Sequence, residues 1–356
     1  MNKNTPIIGF SIFLILVGAF SVAPTYAQDP TIRYGTGVPA AVRSINDRSL
    51  RYLANAQLQD GSWPGGQNGA GITGICVMAF MASGEDPDYG PYATNIRKAL
   101  RSMIMNQNPK TGYMTGYGHG SMYHHGFAML ALSEAYGAVS EELLWKGSEV
   151  PPNRRRTIGK ALELAVRCAL TAQKKNPWGA WRYSPESQDA DTTVSGTVLM
   201  GLLGARNAGI EVPNEAVDKA LTFFQTCTMR GGGVSYQPMS SHGDGITRSA
   251  IGTLVYAIGK RKDTPEYKSA SEYIKRRMDQ STHSGYAFYN LYYMAQALFQ
   301  SDFEAWQSWN RRIIERLQGM QQEDGSFTSS YGSAYATGMA VLTLALNYRL
   351  LPIYER

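Results

Sequence analysis

The sequence predicts an all-α protein in which about six helical hairpins pack side by side in a closed ring. Two repeated features lead to this prediction. The first is a dipeptide, a small polar residue beside a small or apolar one, just ahead of each predicted apolar helix. Helices of this kind bury their apolar faces only against neighbouring copies. The six dipeptides are Thr73-Gly74, His125-Gly126, Ser195-Gly196, Ser249-Ala250, Asn290-Leu291 and Thr337-Gly338.

The second feature is a turn rich in glycine and aromatic residues ahead of each dipeptide. It is clearest from Gln57 to Trp63 and from Gln321 to Phe327, where a Gln is followed by Gly and then by an aromatic residue. Glycine permits a left-handed turn between helices, and the aromatic ring packs the turn onto its neighbour. Degenerate copies occur at Gln107 to Tyr113, Gln173 to Trp181, Gly233 to Tyr236 and Gly285-Tyr286.

These turns resemble the QW-type repeats of the squalene-hopene cyclase and prenyltransferase β-subunit superfamily, and the resemblance runs from about Ala41 to the end of the chain. It implies an α/α toroid, an (α/α)6 barrel. The cyclases of this superfamily usually carry two such domains, whereas this chain has room for one. A single toroid domain over 28–356 is therefore expected.

The N-terminus has the pattern of an export signal. Lys3 precedes an apolar run from Ile7 to Ala23, and the run leads to Thr25-Tyr26-Ala27, a small-x-small cleavage site. The sequence predicts a signal peptide over 1–27 and a periplasmic or extracellular protein that has no membrane anchor after cleavage. A retained anchor is the alternative, although the run is shorter than the ~20 residues of a spanning helix.

Composition restricts the partners. Cys76, Cys168 and Cys227 lie in apolar helical contexts, which favours buried thiols over a disulfide framework. The net charge of +6 is spread out, with no basic stripe interleaved with aromatic residues. Nucleic acid is therefore not an expected partner. A small-molecule lipid or a glycan remains possible as a ligand.

No metal or other cofactor is predicted. The prenyltransferase branch of the superfamily binds zinc through an Asp, a Cys and a His, but Phe288-Tyr289-Asn290 carries Asn at the position of that His, and no Asp-x-Cys occurs. The resemblance therefore implies no zinc-dependent protein prenyltransferase. His124 and His125 point about 100° apart on a helix, so they do not share one ion. The sequence places His125 facing the bore and His124 in the wall.

Asp189-Ala190-Asp191-Thr192-Thr193 resembles the cyclase acid motif, Asp-x-Asp-Asp-Thr. In that family the middle Asp protonates an alkene or epoxide, so the resemblance assigns Asp191 as the general acid and Asp189 as its hydrogen-bonding support. Thr192 replaces the last Asp of the motif and removes part of the acid network. The alternative is that Asp191 caps the helix that follows.

The remaining candidates for ligand contact are polar and aromatic residues near the predicted starts of the inner helices. His242 and Asp244 form a possible acid-base pair at the rim, and tyrosines around the second and fifth inner helices are expected to line a cavity. The full set of ligand-binding candidates is Tyr123, His124, His125, Arg182, His242, Asp244, Arg248, Tyr289, Asn290 and Tyr335.

Three functions fit these patterns. The first is an exported toroid without catalytic activity that binds a lipid or polymer segment in its bore or on its rim. The second is a class II terpene cyclase or isomerase with Asp191 as general acid. The third is a polysaccharide lyase or hydrolase built on the same fold, in which Tyr123, His124, Arg182, His242, Asp244 and Arg248 supply proton transfer and carboxylate pairing.

Overall fold

The structure is a computed structural model that describes residues 37–65, 69–116, 121–238, 245–283, 286–348 and 350. Within these ranges it contains thirteen α-helices and no β-strand. The helices are α1 Ala40–Ala56, α2 Ala70–Ala82, α3 Ala93–Asn106, α4 Ser121–Ala135, α5 Glu141–Leu144, α6 Ile158–Lys175, α7 Thr192–Asn207, α8 Asn214–Cys227, α9 Ile246–Ile258, α10 Pro265–Arg276, α11 Ala287–Ser301, α12 Phe303–Met320 and α13 Ser333–Leu344.

The helices form two layers whose sequences differ in kind. Helices α2, α4, α7, α9, α11 and α13 are apolar on nearly all sides, and they alternate along the chain with the amphipathic helices α1, α3, α6, α8, α10 and α12. A helix that is apolar all round needs neighbours on every side, whereas an amphipathic helix keeps one face in water. The first set therefore forms the inner layer and the second set the outer layer.

The inner layer closes into a ring. Helix α2 packs against α4, α4 against α7, α7 against α9, α9 against α11, α11 against α13, and α13 returns to α2. This order is that of an α/α toroid, and the predicted fold class is confirmed.

Glycines, which occur in four of the six dipeptides, allow the inner helices to approach closely. A Cβ on Gly74 would lie 2.9 Å from the carbonyl oxygen of Phe127 on the next inner helix. One on Gly126 would lie 2.8 Å from the backbone of Thr197. Since real side chains do not tolerate such distances, a larger residue would force the helices apart.

The predicted positions of the dipeptides need one correction. They lie within the inner helices, about one turn after the start, because each helix begins a few residues before its dipeptide. Their polar side chains also point toward the preceding turn. Ser195 Oγ accepts a hydrogen bond from the backbone N–H of Trp181 at 3.0 Å, and Thr337 Oγ1 accepts one from that of Phe327 at 2.9 Å.

Four of the turns share a glutamine whose side chain joins successive hairpins. Gln107 Nε2 donates to the carbonyl of Gly112 in its own turn at 3.0 Å and to that of Ala161 on the next outer helix at 2.8 Å. Gln57, Gln173 and Gln321 make the same pair of bonds, and the bond from Gln321 reaches Ile45 on α1. The last turn is thereby tied to the first helix of the described chain.

The predicted leader lies outside the described residues. Among the helices that the structure describes, none is long and apolar enough to cross a membrane. The three cysteines are buried and unpaired. Burial raises the pKa of Cys168 to about 11 and that of Cys227 to about 12, so both thiols are protonated at neutral pH.

Candidate functional site at the bore mouth

Asp191 begins α7 as its N-cap. Its Oδ1 accepts hydrogen bonds from the backbone N–H groups of Thr193 and Val194, each at 2.9 Å, and from Thr193 Oγ1 at 2.6 Å. The capping role expected as the alternative is therefore present. Oδ2 is different: it is buried and accepts no hydrogen bond of normal geometry, although the Tyr236 hydroxyl interacts with this carboxyl and lowers its pKa. A buried carboxylate with one unpaired oxygen costs free energy, so a hydrogen-bond donor that reaches Oδ2 would be stabilised at this site.

Arg182 covers Asp191. Its guanidinium lies over the rings of Tyr183 and Tyr236, with the central carbon 5.0 Å and 5.6 Å from the two ring centroids. Its Nε lies 3.8 Å from Asp191 Oδ2, which is too long for a hydrogen bond. The charge partner of Arg182 is Asp189, whose side chain is half exposed.

This pairing corrects the role expected of Asp189. The sequence assigned Asp189 as the hydrogen-bonding support of Asp191, but its carboxylate turns outward to Arg182. The support of Asp191 comes instead from Thr193 and from the backbone of Val194. Thr193 is the last residue of the motif and Val194 follows it, and there a hydroxyl and free N–H groups of the first helical turn are available.

Tyrosines complete the group. The hydroxyls of Tyr183 and Tyr236 lie 2.5 Å apart, and the Tyr123 hydroxyl lies 2.5 Å from Thr193 Oγ1. The rings of Tyr123 and Tyr183 are 6.5 Å apart between centroids. We call Asp191, Arg182, Tyr123, Tyr183 and Tyr236 the mouth cluster, because these residues lie at or just before the N-terminal ends of inner helices.

Burial sets the electrostatics of the mouth cluster. It raises the pKa of Asp191, and this rise is opposed by the Thr193 side chain, by the backbone N–H groups and by Tyr236. The pKa of Tyr123 and that of Tyr236 are raised by burial first and then by the charge of Asp191. Both tyrosines therefore remain protonated at neutral pH and act there as hydroxyl donors and acceptors.

Below the mouth cluster, side chains fill the bore. The Phe127 ring on α4 lies 6.3 Å from that of Tyr292 on α11, which is the opposite inner helix of the ring. The Tyr293 hydroxyl lies 3.1 Å from Thr197 Oγ1 on α7, and the Tyr289 hydroxyl donates to the Thr193 carbonyl at 3.3 Å. These contacts cross the bore. The tyrosines expected to line a cavity therefore pack against one another here.

The two adjacent histidines are structural. His125 Nδ1 accepts from the Met114 backbone N–H at 3.2 Å, so its Nε2 carries the proton toward the Ala165 carbonyl at 3.0 Å. His125 thus points to the outer layer, which corrects the expectation that it faces the bore. His124 Nδ1 accepts from the Gly71 backbone N–H at 3.2 Å, in the wall as expected. Burial lowers the pKa of both histidines to about 4.

The other predicted residues are distributed along the rim and wall. Arg248 Nε donates to the Val234 carbonyl at 3.2 Å. Asn290 is fully buried on α11. Tyr335 is half-buried, with its ring 5.5 Å from that of Tyr331, and burial raises its pKa. His242 and Asp244 lie outside the described residues.

The structure thus brings Tyr123 and Arg182 together but separates them from His124. Of the other residues named for a lyase or hydrolase, Arg248 donates to the Val234 carbonyl, and His242 and Asp244 lie outside the described residues. In the described ranges there is also no group of three His, Cys, Asp or Glu residues that could hold a metal ion.

Tyr183 and Tyr236 are site residues that the sequence reasoning missed. In one repeat the backbone N–H of Trp181 donates to Ser195 on the following inner helix, and Tyr183 lies two positions after Trp181. In the next repeat the N–H of Val234 donates to Ser249 in the same way, and Tyr236 lies two positions after Val234. They are therefore equivalent residues of neighbouring repeats. Alignment of the turns on that position would have placed both tyrosines at the same rim.

The chain matches no protein-family model and no curated protein by sequence. Solved structures match it in fold. Type II terpene cyclase MstE from Scytonema is 15% identical with a TM-score of 0.57, over 87% of this chain and 99% of that chain. MstE has also been solved in complex with geranylgeranyl dihydroxybenzoate, and that structure aligns with a TM-score of 0.56 at 15% identity, over 87% of this chain and 98% of that chain.

A glycosidase of the same architecture matches equally well. The family 76 mannosidase Bt3792 from Bacteroides thetaiotaomicron is 10% identical with a TM-score of 0.58, over 86% of this chain and 98% of that chain. Similarity at this level of identity shows the fold alone. The fold and the structural matches together define the chain as an α/α toroid protein. Both terpene cyclases and glycosidases occur among proteins with this fold.

Proposed function

We propose that this chain is an exported toroid that binds a lipid or polymer segment at the mouth cluster without converting it. The observation that carries the proposal is the contrast between the mouth and the bore. The mouth offers a buried carboxylate, an arginine and half-exposed tyrosine rings, whereas Phe127, Tyr292 and Tyr293 cross the bore beneath it. A ligand held at the mouth stays in contact with water.

Contact with water favours binding over cation chemistry. A carbocation intermediate survives only where the site excludes water, and enzymes achieve this by enclosing the reacting chain. The filled bore supplies no such enclosure among the described residues. Tyrosines at the rim instead offer an apolar ring face with a polar hydroxyl, the pattern typical of surfaces that bind amphipathic ligands.

The test is to incubate the protein with geranylgeraniol, squalene and a series of neutral tetrasaccharides, and to measure both binding and conversion. Isothermal titration calorimetry reports binding, and mass spectrometry of the extracted mixture reports any new product. The proposal expects that at least one compound binds and is recovered unchanged. Conversion of a bound compound, or no binding by any of them, contradicts it.

A second function, class II terpene cyclisation with Asp191 as general acid, is supported by one specific observation. Asp191 Oδ2 lacks a hydrogen-bond donor, and burial raises the pKa of this carboxyl, so a proton on Oδ2 is favoured relative to an exposed Asp. If this function holds, the wild-type protein cyclises a polyprene and Asp191→Asn abolishes the product. Glu186→Gln, an exposed change in the same loop, is the matched control and should leave the product intact.

A further inference from the structure

Two buried polar atoms of the mouth cluster face each other without a partner. They are Asp191 Oδ2, a hydrogen-bond acceptor, and Arg182 Nε, a donor. They lie 3.8 Å apart, beyond hydrogen-bond distance. Asp191 itself is completely buried, and its other oxygen already accepts three hydrogen bonds. Asp191 Oδ2 and Arg182 Nε are therefore unsatisfied polar atoms beside an oxygen that is fully hydrogen-bonded.

The chemistry of the two atoms restricts what can join them. A group placed between them must donate to Oδ2 and accept from Nε, and a hydroxyl does both. A carboxylate or phosphate would only accept, and it would meet the charge of Asp191. An ammonium would only donate, and it would meet the charge of Arg182. Since Asp189 and Asp191 outnumber Arg182, the cluster also repels anions.

Entry to this position requires a small outward movement of Arg182. The Arg182 side chain is 22% exposed, and the side chain of its ion-pair partner Asp189 is 52% exposed. An ion pair in contact with water holds its partners weakly. The guanidinium also lies over the rings of Tyr183 and Tyr236, and a contact with a ring face fixes its position less strictly than a hydrogen bond would. Arg182 is therefore suited to act as a movable cover over Asp191.

We infer that the mouth cluster binds a neutral saccharide, one hydroxyl of which lies between Asp191 Oδ2 and Arg182 Nε. This inference rests on the proposed binding function and names its ligand class. A sugar ring presents several hydroxyls around an apolar face, and Tyr183, which is 39% exposed, offers a ring beside the cover. A long prenyl alcohol carries a hydroxyl as well, but its chain would need the bore that Phe127 and Tyr292 occupy.

Asp191→Asn tests the inference with little change in shape. Asn keeps an oxygen for the helix cap and places an amide nitrogen, a donor, where Oδ2 accepts. The probes are mannotetraose and cellotetraose, their permethylated forms, and geranylgeraniol. We expect one of the two free tetrasaccharides to bind the wild-type protein and to bind Asp191→Asn about tenfold more weakly. The permethylated form, which has lost its hydroxyl donors, should not bind.

Glu186→Gln in the same loop is the control, because its side chain is exposed and lies outside the mouth cluster. It should bind the tetrasaccharide like the wild type, and thermal unfolding of each variant checks that the fold is retained. Equal binding by Asp191→Asn, or equal binding of the permethylated sugar, overturns the inference. Binding of geranylgeraniol without any tetrasaccharide also overturns it but leaves the proposed function standing. If no probe binds, both are refuted.

Discussion

Gln321 closes the ring between the last turn and the first helix, so its removal should destabilise the whole fold. Its Nε2 donates to the carbonyls of Ile45 and Gly325, each at 3.0 Å, and to Ser49 Oγ at 3.1 Å. Gln321→Ala removes these bonds and leaves the two carbonyls without this donor. At about 1 kcal/mol for each bond that is lost, the free energy of unfolding should fall by about 2–3 kcal/mol.

Urea denaturation followed by helical circular dichroism measures this loss, and Gln322→Ala is the matched control. Gln322 is the next residue in the chain and is exposed, and its side chain donates to the carbonyl of Met320, two residues before it. The control should change the free energy of unfolding by no more than about 0.5 kcal/mol. Hydrogen exchange gives a second readout, because loss of the closing bonds should increase exchange in α1 relative to α7.

Equal stability of the Gln321 and Gln322 variants would refute this account of ring closure. The closure would then depend on other contacts at the same junction. One of these is the hydrogen bond from the Arg48 guanidinium to the Gln322 carbonyl at 2.6 Å. Unchanged exchange in α1 would lead to the same conclusion.

Two further predictions concern the turns and the buried histidines. Gly112 and Gly137 both have positive φ, 78° and 82°, but a Cβ on Gly112 would overlap the Leu164 carbonyl, whereas one on Gly137 meets nothing within 4 Å. Gly137→Ala should therefore lower the free energy of unfolding by only about 1–2 kcal/mol, through backbone strain, and Gly112→Ala should lower it by more. Equal losses of the two variants in urea denaturation would contradict this reasoning. Burial lowers the pKa of His124 and His125 to about 4 from 6.5, so the unfolded chain binds protons first as the pH falls. The stability that the neutral histidines contribute is complete above pH 6.5 and is lost as the pH falls toward 4. For each histidine the free energy of unfolding should fall by up to about 1.4 kcal/mol per pH unit, and urea denaturation at pH 7 and at pH 5 measures this loss.

The repeat pattern was sufficient to predict the fold because four of the turns make the same pair of contacts. The glutamine of a turn needs a glycine carbonyl in its own turn and a carbonyl on the next outer helix, as Gln107 finds in Gly112 and Ala161. The glycine follows the glutamine by 4 residues in two of these turns, as from Gln57 to Gly61, by 5 from Gln107 to Gly112 and by 6 from Gln173 to Gly179, so the turns keep the two bonds while their lengths differ. The direction of His125 was predicted wrongly, because a polar residue on an apolar helix binds the nearest free backbone N–H, here that of Met114 in the preceding turn.

The site was predictable only in part. Asp191, Arg182 and Tyr123 carry local signals, namely a motif, a charge and an aromatic residue beside a helix start. The outward pairing of Asp189 carries none, since it depends on where Arg182 lies in the fold. The filling of the bore also escapes sequence reasoning. Side chains fill the bore because inner helices that are not neighbours in the ring lie close enough for their side chains to touch, as Phe127 and Tyr292 do. The spacing of apolar residues along the sequence does not predict that distance.

Thr192, the residue that departs from the cyclase acid motif, supports binding over proton transfer. Its Oγ1 donates to the Ser235 carbonyl at 2.9 Å, and its backbone N–H donates to the Tyr236 carbonyl at 3.0 Å. An aspartate at this fully buried position would set a carboxylate against the Ser235 carbonyl, and that repulsion would push the turn away. The threonine instead fixes the turn that carries Tyr236 and so holds the Tyr236 ring beneath Arg182. At this position the chain therefore has no acidic side chain, and the two hydrogen bonds of Thr192 instead position the turn that lies beneath the cover of Asp191.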